Sequence, residues 1–200
     1  MVLNWKHGLR RFGIAVTAAL VSAGALAVPA AADDVASLPV FQPAPSDWMP
    51  RTNVWPNSLW ANRVTPEMNT AMRESCQWFN AQYDPLMNGV SGFQHFLAGQ
   101  KDVWTATGVQ NAGNVVAANL DQSATFLEPR ANILYIINYP DQSQYSPLEH
   151  GDSFYHLWYQ FTQISDKIKQ QRPAGQINAN VATAYVYGNA IRGSGVCNGA

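Results

Sequence analysis

The chain has 200 residues, a formal net charge of −1 with histidine neutral, and charged side chains at 12% of positions, about half the usual ~25% share. That balance excludes a basic nucleic-acid surface. With 30 Asn and Gln residues, the exterior is expected to be polar but largely uncharged, which suits work against sugars, cell-wall polymer or other proteins. Low charge also fits a permanent oligomer, because interface cores are depleted in charge.

Lys6, His7, Arg10 and Arg11 precede an apolar run from Phe12 to Val28, followed by Pro29, Ala30-Ala31-Ala32 and Asp33-Asp34. A basic start, an apolar middle and a small-residue exit read as a secretory leader over residues 1–32, cleaved after Ala32. The alternative is an uncleaved anchor, since the run is only slightly shorter than the ~20 residues that span a bilayer. Either way the protein is expected outside the cytoplasm, secreted or extracytoplasmic. Cleavage leaves residues 33–200 with nine basic and thirteen acidic side chains, a net charge of −4. No later stretch is apolar enough to span a membrane as a helix.

Residues 33–64 form the next unit. Pro39, Pro43, Pro45, Pro50 and Pro56 forbid a long helix, and Trp48, Trp55 and Trp60 give this extended arm an apolar character that disordered linkers lack. The arm is expected to dock, either around its own domain or on a partner. If a partner surface exists, these three tryptophans are its first candidates, because aromatic residues are enriched where interfaces gain affinity.

Residues 65–200 read as a helical domain. Thr65-Pro66-Glu67 supplies an N-cap, a first-turn proline and a first-turn acid, and Met68, Met72, Cys76, Phe79 and Tyr83 follow on one face. Asp84-Pro85 ends that helix or starts another, which continues through Leu86, Val90, Phe93 and Leu97. Val109, Ala112, Val116, Leu120, Ala124 and Leu127 predict a third helix to about Glu128, kinked or restarted at Pro129. The run Ile133-Leu134-Tyr135-Ile136-Ile137 reads as buried helix, since no strand of comparable strength exists to pair with it.

Ser146-Pro147-Leu148-Glu149 has the form of a capping box with proline at the first helical position. It predicts a long helix whose inner face carries Leu148, Gly151, Tyr155, Trp158, Phe161 or Thr162, Ser165 and Ile168. A last helix from about Gln176 turns Ile177, Val181, Ala184, Gly188 and Ile191 inward, and Gly193 and Gly195 release the chain toward Cys197. Cys76 and Cys197 are the only cysteines, and in an oxidising compartment they are expected to form one disulfide. The sum is an all-α, up-and-down bundle of four to five helices with an extended Pro/Trp-rich arm and one disulfide.

Reactive side chains concentrate on the long helix. Asp152 and His156 are four apart and share a face, so the carboxylate could orient the imidazole, with Glu149 one turn before. Tyr155, His156 and Tyr159 could instead ligate haem, with His95 opposite. Against this, His150 and His156 are six apart, not four as in helical zinc peptidases, and no Glu-x-x-His occurs. No metal and no cofactor are therefore predicted. No Gly-x-Ser-x-Gly is present, and Gly193-Ser194-Gly195 reads as a flexible exit.

The function expected from these residues is that of a secreted, non-catalytic helical protein of the cell envelope or extracellular space. It would act as a binding or interaction module for a protein or envelope component. The alternative is a haem or metal carrier, or an enzyme, with its site on the helix around Glu149–Tyr159. A third reading, a pore or lipid-associated oligomer, rests only on the apolar share and scarce charge.

Overall fold

The computed structural model describes residues 35–53, 61–136 and 146–200. The leader expected at 1–32, and Trp55, Pro56, Trp60 and Ile137, lie outside the described residues. Within them the fold is helical: α1 (Pro66–Trp78), a π turn (Phe79–Tyr83), α2 (Asp84–Gly99), α3 (Val109–Leu134), α4 (Gly151–Lys169) and α5 (Ala174–Ser194). Because α1, the π turn and α2 join without a break, the described residues form four long rods, in keeping with the four to five helices expected. The first rod packs on α3, α3 on α4, α4 on α5 and α5 back on α2, closing a ring around one apolar core.

Local chemistry explains most boundaries. Thr65 caps α1 by accepting from the Met68 N–H at 3.2 Å, with Pro66 in the first turn. Pro85 neither stops the first rod nor breaks it. A proline at this point offers no N–H and crowds the carbonyl four residues back, and the looser π turn immediately before it relieves that conflict. Pro129 likewise lies inside α3, where it offers no N–H to the Thr125 carbonyl. Gly195, at φ 65°, closes α5 in the left-handed conformation that favours glycine.

Two expectations need correction. The apolar run at Ile133 is helical only to Leu134, Tyr135 is extended, and Ile133 is 41% exposed. The Ser146–Glu149 capping box does not launch α4, which begins at Gly151 after His150 in a left-handed conformation. The arm is the cause. Asn53 N–H donates to the Pro147 carbonyl at 2.8 Å and Glu149 N–H to the Arg51 carbonyl at 3.0 Å, around an isolated Thr52–Leu148 bridge. That pairing commits the backbone the cap would have used. On α4 the expected Gly151, Phe161, Ser165 and Ile168 are buried, whereas Phe154 and Leu157 turn inward in place of Tyr155 and Trp158, which are only half-buried on the flank. The inward face expected for α5 is buried at all five positions.

Arm residues 35–53 lie along the domain without forming a helix. Asn119 acts as an artificial strand partner, accepting from the Leu38 N–H and donating to the Ala36 carbonyl, each at 2.9 Å. Gln77 exchanges two bonds with Ala44, both 3.1 Å. The Cys76–Cys197 disulfide is formed and closes a separation of 121 residues, which in the chain-entropy treatment constrains the unfolded chain by about 4 to 5 kcal/mol. Among the described residues no helix is long and apolar enough to cross a membrane.

Candidate functional site

The reactive set on α4 is only partly gathered. Glu149 is held by Arg51 of the arm, Oε2 to Nε 3.0 Å. His150 sits at the helix start with Nδ1 3.2 Å from the Ser153 hydroxyl, and no hydrogen bond joins Asp152 to His156. Tyr159 is 46% exposed, and His95 is exposed on α2. Tyr155 and His156 do meet, together with Tyr135 and Tyr187, which sequence patterning did not single out. Tyr135 stacks on Tyr155 at 3.8 Å between ring centroids, and His156 stacks on Tyr187 at 4.8 Å. Burial, then the neighbouring Tyr155, Asp152 and Tyr187, hold the Tyr135 phenol above its ordinary range. These rings face one another, as aromatic packing does. Among the described residues no group of three or more His, Cys, Asp or Glu could hold a metal.

The arm tryptophan that is described is also engaged at home. Trp48 donates its indole N–H to the Asn198 carbonyl at 2.9 Å, and Arg51 donates to the Ser194 carbonyl at 2.7 Å. Asn80 adds a bond to the Cys197 carbonyl at 2.9 Å. Arm, first rod and disulfide thus clasp the C-terminal tail from three directions.

Beside this clasp the arm walls a cleft of about 450 Å³. Val40, Phe41, Gln42 and Pro43 form one side, Trp78 and Gln82 the floor from the first rod, and Gln122, Thr125, Phe126 and Arg130 the α3 side. The wall is pinned by a shared acceptor: the Pro39 carbonyl takes Gln82 Nε2 at 2.6 Å and Gln122 Nε2 at 2.8 Å. Phe41 meets Phe126 edge-on at 5.0 Å.

The electrostatics of the cleft are neutral in effect. Arg130 is bound to Glu74, Nη2 to Oε2 2.6 Å, and lies 3.7 Å over the Phe126 ring. The polar atoms without a partner are uncharged. Trp78 is 0% and Gln82 4% exposed, yet among the described residues Trp78 Nε1 and Gln82 Oε1 make no hydrogen bond, and neither do the buried hydroxyls of Ser75 and Ser123. Leaving such a group unpaired costs roughly 1–3 kcal/mol. A second cleft of about 420 Å³, lined by Glu67, Thr70, Pro129 and Ile133, lies on the other flank of the Glu74–Arg130 pair. None of the four unpaired atoms belongs to its lining.

Sequence reasoning missed this site because its residues come from three separated segments and none carries a motif. The available signal was the abundance of Gln, which here supplies Gln42, Gln82 and Gln122. Comparison of the chain with protein-family models, with curated proteins and with solved structures finds no match.

Proposed function

We propose that this chain is an extracytoplasmic, non-catalytic binding protein whose ligand site is the cleft walled by arm residues 40–43. The location rests on the leader pattern of residues 1–32 and on the Cys76–Cys197 disulfide, which an oxidising compartment favours. The binding reading is carried by one observation: a buried donor, Trp78 Nε1, and a buried acceptor, Gln82 Oε1, both unpaired, on two residues that floor one cleft. The cleft has the size of small-molecule sites, roughly 300–1,000 Å³. Its floor includes the π turn, and such turns concentrate at functional sites.

The test is a ligand-observed NMR screen of a mixed fragment library against the exported protein, repeated on Thr125→Trp. Thr125 is exposed on the cleft wall, so the larger side chain fills the opening without entering the core. Hits that vanish in the variant support the reading. No hits, or hits that bind both proteins equally, overturn it.

The gathering of Tyr155 and His156 with Tyr135 and Tyr187 favours a second reading, a haem carrier, in which a tyrosine or histidine would ligate the iron. It requires at least one of the two stacked pairs to open. Titration of the protein with haem, followed by its visible absorption, separates the two readings.

A further inference from the structure

The cleft's unpaired atoms also define what it would bind, and this inference rests on the binding reading above. The first rod and α3 pack together and carry the four unpaired buried side-chain atoms found among the described residues: Trp78 Nε1, Gln82 Oε1 and the hydroxyls of Ser75 and Ser123. Ser75, Trp78 and Gln82 follow at spacings of three and four, one turn apart along the rod. Ser75 and Ser123 lie outside the cleft's lining, so its own inventory is one pure donor, Trp78 Nε1, and one pure acceptor, Gln82 Oε1. Neither is charged. The one cation at the cleft, Arg130, already has Glu74 and the Phe126 face, so a second anion there would compete with a formed ion pair.

A donor-only and an acceptor-only group four residues apart on one rod match a hydroxyl, which accepts from one and donates to the other with a single oxygen. A carboxylate could satisfy the indole but would repel the Gln82 carbonyl oxygen, and an ammonium would do the reverse. The remaining walls, Val40, Phe41, Pro43 and Phe126, require an apolar face on the same molecule. We infer that the cleft takes an uncharged, hydroxyl-bearing small molecule with one apolar face, its hydroxyl bridging Trp78 Nε1 and Gln82 Oε1 beneath the arm. Both atoms are sealed from solvent, so this binding mode requires residues 39–43 of the arm to lift as the ligand enters.

Two sources share this chemistry, saccharides and lipophilic alcohols, and a matched series distinguishes them. The full exported chain is titrated with methyl β-glucoside, cyclohexanol, cyclohexanecarboxylate, cyclohexylammonium and methylcyclohexane, following the indole N–H resonance of Trp78 by NMR. The glucoside or cyclohexanol is expected to shift that resonance and saturate, and the tighter of the two identifies the source. Gln82→Met, which keeps the length of the side chain and leaves the Trp78 indole in place, is expected to weaken that ligand about tenfold, the loss of one hydrogen bond; Trp78→Phe, read on the ligand's own signals because the indole is gone, should do the same, and either variant serves where the other fails to fold. A charged analogue or the hydrocarbon binding the cleft as tightly as the alcohol overturns the ligand class and leaves the binding reading standing. If no probe moves the Trp78 resonance, and the wider screen also finds no hit lost in Thr125→Trp, both fall.

Discussion

Gln82 donates its Nε2 to the Pro39 carbonyl at 2.6 Å while its own Oε1 accepts nothing. One side chain thus fastens the arm and presents an unused acceptor beneath it. The arm is the wall of the cleft, and over residues 36–44 its polar attachments are side-chain amides of Asn119, Gln77, Gln82 and Gln122.

Asn119 is the strongest of those attachments, since both ends of its amide bond the arm backbone. Asn119→Ala is expected to release residues 35–41, exposing two backbone groups to water and costing about 1–3 kcal/mol of arm docking. Limited proteolysis should then cut within this segment at least several-fold faster, with the helical core still folded by circular dichroism. Unchanged protection of the Leu38 amide would contradict it.

Gly188 sets the approach of α5 to the first rod. A Cβ built there would lie 1.9 Å from the Tyr83 hydroxyl and 2.1 Å from its Cζ, and Tyr83 is 1% exposed with no room to retreat. Gly188→Ala is expected to destabilise the protein by about 3 kcal/mol or more, as overpacking against a rigid ring does. Gly175→Ala, where nothing lies within 4 Å, should be neutral or stabilise by up to about 1 kcal/mol. Equal melting temperatures for the two variants would refute the packing.

The same tyrosine gives a pH dependence. Burial raises the Tyr83 phenol well above its ordinary value of 10.0, with Arg192 opposing. The unfolded chain therefore loses this proton at a lower pH than the folded one, so stability is complete below about pH 10 and falls as pH rises further. Urea melts between pH 9 and 11.5 should show that decline, and Tyr83→Phe should flatten it, leaving the smaller contribution of Tyr135, which is shifted the same way. Stability that rises through this window would contradict the burial.

Reduction of Cys76–Cys197 should lower stability by up to about 4 to 5 kcal/mol. It should also loosen the tail that Trp48, Arg51 and Asn80 hold. Tryptophan fluorescence is expected to change on reduction below the melting temperature, and Trp48→Phe should remove most of that change. A signal indifferent to Trp48 would show that the tail stays clasped without the bond.

The helices were legible where local chemistry decides them. Thr65-Pro66 caps α1 as its side chain requires, α5 buries the face its periodicity selects, and two cysteines in an even pair gave the disulfide. The start of α4 was not legible, because Ser146–Glu149 has a cap's sequence but its backbone is taken by Arg51–Asn53, nearly a hundred residues earlier. Of the inner face expected for α4, Leu148, Gly151, Phe161, Ser165 and Ile168 are buried, while Phe154 and Leu157 take the inner places expected of Tyr155 and Trp158. The cleft was the least legible feature. Trp78 and Gln82 read as ordinary helix residues until the arm's path and the π turn place them under Pro39, and a π turn leaves no pattern in hydrophobic spacing.

The most direct measurement of the central claim is a crystal structure of the exported protein grown with saturating cyclohexanol or methyl β-glucoside. The ligand is predicted between arm residues 40–43 and α3, with one hydroxyl within hydrogen-bond distance of both Trp78 Nε1 and Gln82 Oε1. A ligand seated instead on the Tyr135–Tyr155–His156–Tyr187 cluster, or a cleft that stays closed with Trp78 Nε1 and Gln82 Oε1 still unpaired, would contradict it.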